Sequence, residues 1–170
     1  MRKRIGGTLP LYTPEELRRR DSSPWTRVQA VLAPVQFLAF LVSLVLVVRY
    51  LVSGHGVAAA SISVLVKSAF LYAIMITGSL WERDVFGKLL FAPAFFWEDV
   101  VSMLVIALHT AYVAALFGGW LDAHALMLLA LSAYASYVGN AAQFLIKFRA
   151  ARRSRGAALA PIMLAPGASQ

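Results

Sequence analysis

Residues 95–117 read FFWEDVVSMLVIALHTAYVAALF, an apolar run that is long enough to cross a membrane yet contains Glu98, Asp99 and His109. A helix needs about 20 mainly apolar residues to span the hydrocarbon of a bilayer. Three further runs approach or exceed this length, near residues 28–48, 57–80 and 123–146. The chain is 60% hydrophobic, whereas globular domains average about 45–50% apolar residues. The sequence therefore predicts an all-α bundle of four transmembrane helices.

Positive charges lie at both ends of the chain and in one loop. Seven Lys and Arg residues precede the first span, five close or follow the fourth, and Arg83 and Lys88 lie between the second and third. The connections at 53–56 and 118–124 contain none. Because Lys and Arg near helix ends tend to stay cytoplasmic, both termini and the 81–94 connection are predicted to face the cytoplasm. The net charge of +8 then reflects topology and attraction to anionic lipid headgroups, and nucleic acid is not an expected partner.

Composition divides the chain into a basic cytoplasmic N-terminal segment, a four-helix transmembrane domain and a cytoplasmic tail, at residues 1–24, 25–150 and 151–170. In the first segment, Thr13, Pro14 and Glu16 form the pattern of a capping box, which predicts a short amphipathic helix. Ser23 is expected to begin the next helix in the same way. After Arg155 the residues lack helical periodicity, so the tail is predicted to be flexible.

Polar side chains inside the spans are the most informative residues, because an ionised group in hydrocarbon is costly and normally faces the bundle interior or a cavity. Lys67 and His109 lie deep in their spans. The others fall in the cytoplasmic third: Gln36, Glu82, Glu98, Asp99, Asn140 and Gln143. In the third span, Glu98, Ser102, Val105 and His109 recur at steps of three and four residues, which places them on one helical stripe. The sequence therefore predicts a polar column inside the bundle, open toward the cytoplasm.

Few catalytic chemistries fit these residues. The chain has no cysteine, which removes disulfides, thiolate metal sites and cysteine nucleophiles. Of its three histidines, His55 and His124 lie in the outer loops, so no protein metal site is predicted. Acid–base chemistry by carboxylates and His109 remains. A flat, apolar substrate would suit the aromatic residues nearby, which are Trp81, Phe86, Phe91, Phe95, Phe96 and Trp97.

Structural roles stay open for the same polar residues. Glu98 and Asp99 also fit first-turn acids that are favoured by the helix dipole. His109 also fits a neutral imidazole that is hydrogen-bonded to another helix, and Asn140 an interhelical hydrogen-bond partner. Lys67 is expected to be buried against a carboxylate or another acceptor, because an unpaired ammonium near the middle of the membrane is costly.

Three stretches resemble the vinyl bacteriochlorophyllide hydratase family of bacteriochlorophyll biosynthesis: LYTPEELRRRDSSPWTRVQAVLAPVQF (11–37), ITGSLWERDVFGKLLFAPAFFWEDVVSMLVIALHTAY (76–112) and YVGNAAQFLIKFRAAR (137–152). The resemblance implies a hydro-lyase that adds water to the 3-vinyl group of a magnesium chlorin or bacteriochlorin, giving a 3-(1-hydroxyethyl) group. It implies no cofactor, since the magnesium belongs to the pigment substrate. It also implies a multi-pass protein of the inner membrane, either cytoplasmic or intracytoplasmic photosynthetic.

Hydration of a vinyl group needs a proton at the terminal carbon and water at the inner carbon, so two proton-handling groups suffice. Glu98 is the expected acid because it shares a stripe with His109. Asp99 or His109 is the expected base, and His109 also fits an axial ligand to the pigment's magnesium. Residues expected to contact the substrate are Trp81, Glu82, Trp97, Lys67, Gln36 and Asn140.

Two other functions stay open. In a non-catalytic pigment-binding or assembly protein, His109 would ligate magnesium and the acids would shape the pocket. In a small proton-coupled transporter, Lys67 and Glu98 would carry the charge, although four helices would need to oligomerise to form a path. Homo-oligomers and contacts with other pigment-biosynthesis enzymes also stay open. Product analysis separates these functions, because only a hydratase converts the vinyl pigment.

Overall fold

The computed structural model describes the backbone of residues 11–163 and the side chains of residues 11–150. Within these residues the regular structure is helical: α1 (Pro14–Ser22), α2 (Pro24–Ser53), α3 (Val57–Phe86), α4 (Phe96–Gly118) and α5 (Ala123–Met163). Helices α2, α3 and α4, together with residues 123–150 of α5, are long and apolar enough to cross a membrane. The predicted all-α fold with four transmembrane helices is confirmed.

The predicted capping box at the start of α1 is confirmed. The Thr13 hydroxyl accepts a hydrogen bond from the Glu16 N–H (3.2 Å), and the Glu16 carboxylate accepts one from the Thr13 N–H (2.6 Å). Ser23 occupies the N-cap of α2, but its side chain makes no cap hydrogen bond. The Ser23 hydroxyl donates instead to Asp84 Oδ2 at 2.8 Å. This contact joins the α1–α2 junction to the last turns of α3.

The four long helices form two hairpins. Helix α2 contacts α3 most extensively, and α4 contacts α5. Gln29 on α2 donates a hydrogen bond of 2.7 Å to Thr77 on α3. Deeper in the bundle, the Ser43 hydroxyl lies 2.7 Å from that of Ser63 on α3 and 2.5 Å from that of Tyr134 on α5. Ser43 therefore connects three helices at one point.

Apolar side chains fill the outer half of the bundle and also cover its outward faces. Phe40, Val47, Val64 and Met127 belong to the buried core. Outward-facing residues such as Val45, Ile62 and Leu104 are more than half exposed. Such a surface suits contact with lipid chains, in which apolar side chains need no burial.

The connection between α3 and α4 folds back against the end of the bundle. Helix α3 ends at Gly87, whose positive φ of 74° supplies the left-handed C-cap. Phe91 also has a positive φ, of 58°, which is uncommon for a residue with a side chain. Ala92 and Phe95 are buried. The loop therefore packs against the bundle instead of extending into solvent.

Helix α5 continues to Met163. It therefore extends past Arg155, although the residues after Arg155 lack helical periodicity. Alanine, which is frequent in this stretch, is the best helix former. The predicted flexibility of the tail stays a prediction, because the helix assignment does not test it. Residues 1–10 and 164–170 lie outside the described part of the chain.

Candidate functional site

The polar stripe predicted on the third span faces the bundle interior. Glu98, Asp99, Ser102, Val105 and His109 are all buried on α4. Their spacing of three and four residues puts them on one side of the helix, which is the side that meets α3 and α5. The predicted burial of the polar stripe inside the bundle is therefore confirmed, while its opening toward the cytoplasm stays a prediction.

Glu82 and Asp99 form a carboxyl pair at the end of this column that is next to the 87–95 loop. Their side chains face each other and are 6% and 4% exposed. The loop supplies one donor to each acid: the Phe91 N–H to Asp99 Oδ2 (2.7 Å) and the Ala92 N–H to Glu82 Oε2 (3.3 Å). Two buried carboxylates that face each other would repel, so one proton shared between the two acids fits this arrangement best.

Glu98 has a different partner, although it is the neighbour of Asp99 in sequence. The Lys147 ammonium on α5 donates to Glu98 Oε2 at 2.6 Å and lies 4.8 Å from the centroid of the Phe95 ring. A carboxylate in such an ion pair carries no proton to give. Lys147 is a site residue that the sequence analysis assigns only to topology. Gln143 follows Asn140 by three residues, and Lys147 follows Gln143 by four. This helical spacing indicates that Lys147 also faces the interior.

A second polar layer lies about one helical turn deeper. Asn140 Nδ2 on α5 donates to Ser102 Oγ on α4 at 2.8 Å. Gln36 on α2 is 3% exposed, and Gln143 lies three residues after Asn140 on the same face of α5. The amides predicted to contact substrate are therefore buried inside the bundle.

Lys67 and His109 form a fully buried pair deeper still. Lys67 Nζ lies 2.6 Å from His109 Nε2, and His109 Nδ1 lies 2.7 Å from the Val105 carbonyl oxygen. Because that carbonyl only accepts, Nδ1 carries the proton and Nε2 accepts from Lys67. The ammonium also lies 4.3 Å from the centroid of the Tyr137 ring, a cation–π contact. The prediction that Lys67 is buried against an acceptor is confirmed, and the acceptor is a histidine.

The structure does not bring all the predicted catalytic residues together. Asp99 and His109 are ten residues apart on α4, which is about 15 Å along a helix. A vinyl group that touches Asp99 is therefore out of reach of His109. The deep pair would have to act on another part of a large substrate.

The two predicted tryptophans lie in different places. Trp81 packs edge-on against Phe86 and Phe95, with ring centroids 5.8 and 5.7 Å away, and its Nε1–H donates to Thr26 Oγ1. Phe95 is buried at the centre of an aromatic cluster, which consists of Tyr12, Trp81, Phe86, Phe95, Phe144 and Phe148. Trp97 is 69% exposed, because one residue along a helix turns the side chain by about 100° from Glu98. Trp97 is thus separated from the other residues expected to contact substrate.

Comparison with known proteins identifies relatives over nearly the whole chain. The family model described as 2-vinyl bacteriochlorophyllide hydratase (BCHF) matches residues 12–150. A Rhodobacter capsulatus protein named 2-vinyl bacteriochlorophyllide hydratase is 65% identical over 142 residues, which are 84% of this chain and 82% of the relative. A Cereibacter sphaeroides protein of the same name is 58% identical over 149 residues, 87% of this chain and 92% of the relative. No solved structure matches the chain.

Proposed function

The chain belongs to the 2-vinyl bacteriochlorophyllide hydratase family, and from this premise we propose that it adds water to the vinyl group of a (bacterio)chlorophyllide to give a 1-hydroxyethyl group. The vinyl group numbered 2 in the relatives' names is the one numbered 3 in the sequence analysis, under the newer tetrapyrrole numbering. The observation that carries the proposal for this chain is the buried carboxyl pair, Glu82 and Asp99, which is suited to give the proton that the first step of hydration needs and to take it back in the last.

The carboxyl pair can supply both proton transfers. Its protonated member gives H⁺ to the terminal vinyl carbon, where the π electrons form the new C–H bond. The cation left at the inner carbon is delocalised into the macrocycle. Water then bonds to that carbon through oxygen and gives its extra proton to the carboxylate of the pair. The pair ends with one proton, as it began, and the pigment has gained one water.

This mechanism assigns the acid to the carboxyl pair and not to Glu98. The stripe shared with His109 favours Glu98, but its ion pair with Lys147 occupies the carboxylate. In the proposal, Glu98 holds α4 against α5 and places a fixed negative charge near the cation that develops on the pigment, which stabilises it electrostatically. The reaction leaves the net oxidation state of the pigment unchanged, so it needs no redox cofactor, and magnesium enters only as part of the substrate.

The aromatic cluster around Phe95 is the proposed contact surface for the macrocycle. Phe95 directly precedes α4 and is next to the acids in sequence, and flat rings stack favourably on one another. Arg83 and Lys88 at the same end of the bundle would receive the pigment's propionate, since both are exposed cations. The proposed location is the inner membrane, cytoplasmic or intracytoplasmic photosynthetic, with both termini in the cytoplasm. Homo-oligomers and contacts with other pigment-biosynthesis enzymes are compatible with the outward apolar faces.

Product analysis tests the function. Membranes that contain the chain are incubated with a vinyl chlorophyllide, and the pigment is analysed by chromatography and mass spectrometry. A hydratase yields a product heavier by one water and lacking the vinyl-conjugated absorption. Membranes without the chain provide the control. If the pigment binds to the protein and is recovered unchanged, the chain is a pigment-binding protein and the proposed function is contradicted.

A further inference from the structure

Three amide side chains carry buried oxygen atoms without a hydrogen-bond partner among residues 11–150. These atoms are Gln36 Oε1, Asn140 Oδ1 and Gln143 Oε1. Gln36 and Asn140 are 3% and 9% exposed, so lipid headgroups and bulk water do not reach them. Buried polar atoms almost always have partners in native proteins, and each exception indicates a ligand, a water or strain.

Gln36 and Asn140 lie at the same depth in the bundle, and Gln143 lies about one turn further along α5. Contact between Phe40 and Tyr137, whose ring centroids are 5.0 Å apart, fixes how α2 and α5 align. Gln36 lies four residues before Phe40, and Asn140 three residues after Tyr137. Because the two helices run in opposite directions, both amides are displaced by about one turn toward the cytoplasm. Gln143 is on the same face of α5 as Asn140, and the three residues are called the amide layer below.

The orientation of the Asn140 amide does not remove the unpartnered atom. Nδ2 donates to Ser102 Oγ at 2.8 Å, and Oδ1 has no partner among residues 11–150. In the flipped amide, the Ser102 hydroxyl would donate to Oδ1 and Nδ2 would be left without a partner. Asn140 therefore offers a polar atom to the layer in either orientation.

We propose that the amide layer binds the water molecule that is added to the vinyl group; this inference rests on the proposed hydratase function. The unpartnered atoms are hydrogen-bond acceptors, so their ligand must be a donor. A vinyl group offers no donor, whereas water offers two. A buried water typically makes about three hydrogen bonds to groups that would otherwise be unsatisfied, and an amide oxygen, the Ser102 hydroxyl and the carboxylate of the pair provide them.

The amide layer also lies at the right depth for the reaction. Ser102, the partner of Asn140, is three residues after Asp99 on α4, about 4.5 Å along the helix. A water that donates one hydrogen to an amide oxygen and the other to the carboxylate of the pair keeps an oxygen lone pair free for the inner vinyl carbon. The same hydrogen bond to the carboxylate carries away the proton when the C–O bond forms.

Substitution of Gln36 tests the proposal, because this residue is remote from the carboxyl pair in sequence. Gln36→Met keeps the length of the side chain but removes the acceptor, and Gln36→Glu keeps an acceptor oxygen. Gln29→Leu is the matched control, since Gln29 is on the same helix and is hydrogen-bonded to Thr77. Turnover per folded protein, pigment affinity and thermal stability are measured for each variant.

We expect Gln36→Met to lower turnover by roughly 10²-fold, the effect of misplacing a reactant by about 1 Å, with unchanged pigment affinity. Gln36→Glu should retain more turnover than Gln36→Met. Gln29→Leu should lower thermal stability and leave turnover per folded protein unchanged. Normal turnover in Gln36→Met would overturn the water site, while loss of turnover in carboxyl-pair variants would still support the proposed function. Conversely, active carboxyl-pair variants beside an inactive Gln36→Met would contradict the acid assignment alone.

A second measurement separates water binding from a structural role of Gln36. Water and methanol compete for the same pigment cation, so the ratio of hydroxyethyl to methoxyethyl product in dilute methanol reports on the site of the nucleophile. Gln36→Ala removes an acceptor and enlarges that site, and the share of methoxyethyl product should rise. A purely structural role predicts the same product ratio as in the unaltered protein, a result that would overturn the proposal even if Gln36→Met were poorly folded.

Discussion

The Lys147 ammonium donates a hydrogen bond of 2.6 Å to Glu98, and this contact connects α5 to the first turn of α4. Glu98 and Asp99 are neighbours in sequence, yet Asp99 pairs with Glu82 on α3. Two consecutive acids thus contact two different helices. In the proposed mechanism, Glu98 therefore has an electrostatic role, and Asp99 and Glu82 transfer the proton.

Glu98→Gln is expected to reduce turnover by no more than about tenfold. The amide keeps an oxygen that accepts from Lys147 and removes only the charge, so the α4–α5 contact persists in weakened form. General acid–base groups, in contrast, contribute about 10²–10⁴-fold. Turnover is measured at matched protein level, with pigment affinity as the check on binding. A loss as large as that for an acid–base group would return the proton-donor role to Glu98.

Lys67→Met is expected to destabilise the bundle by about 1–3 kcal/mol, because it leaves the buried His109 Nε2 without a donor. Replacing both partners, in Lys67→Met with His109→Leu, should recover part of this loss, since no unpaired acceptor then remains. Thermal unfolding in detergent or nanodiscs provides the measurement. Equal stability of the Lys67→Met variant and the unaltered protein would show that the pair contributes nothing to folding.

Phe91→Gly is expected to be more stable than Phe91→Ala by roughly 1 kcal/mol, because only glycine adopts a left-handed conformation without a steric cost. Both variants lose the same ring contact with Phe96, so their difference isolates the backbone. Thermal unfolding of the two proteins gives the comparison. If Phe91→Ala equals or exceeds Phe91→Gly in stability, the loop does not hold residue 91 at positive φ.

Reporter fusions at Gln170 and within residues 118–122, on either side of the fourth span, are expected to report opposite sides of the membrane. The charge pattern predicts a cytoplasmic Gln170 and an outer 118–122 connection, because the latter lacks Lys and Arg. A phosphatase reporter active only outside the cytoplasm and a fluorescent reporter active only inside it are fused at each site. The same result at both sites would contradict four spans with cytoplasmic termini.

The sequence predicts the helices and the interior stripe well because both follow from local rules. Hydrophobic length indicates the spans, and the spacing of Glu98, Ser102 and His109 indicates one helical face whatever the partners are. The same spacing rule also indicates that Lys147 faces the interior, because Lys147 lies seven residues, or about two turns, after Asn140. Trp97 shows the limit of closeness in sequence. It is adjacent to Glu98, but two neighbouring residues on a helix point about 100° apart and so lie on different faces.

The pairings within the column are not predictable from these local rules. Lys67 with His109, and Glu82 with Asp99, meet only because α3 and α4 pack at a particular register. The 87–95 loop contacts both acids of one pairing through the Phe91 and Ala92 N–H groups, and Phe91 there adopts a left-handed conformation that its residue type disfavours. Neither the helix register nor this backbone conformation follows from local sequence patterns.

The most direct test of the account is the turnover of Glu82→Gln and Asp99→Asn at matched membrane levels, with pigment affinity measured in parallel. Each substitution keeps the shape of its side chain and removes one ionisable group from the carboxyl pair. Asp122→Asn, an exposed acid in the outer connection, is the control. The account predicts a loss of about 10²–10⁴-fold in both variants, the usual contribution of general acid–base catalysis, with pigment binding and the control unchanged. Near-normal hydration by both variants would contradict it.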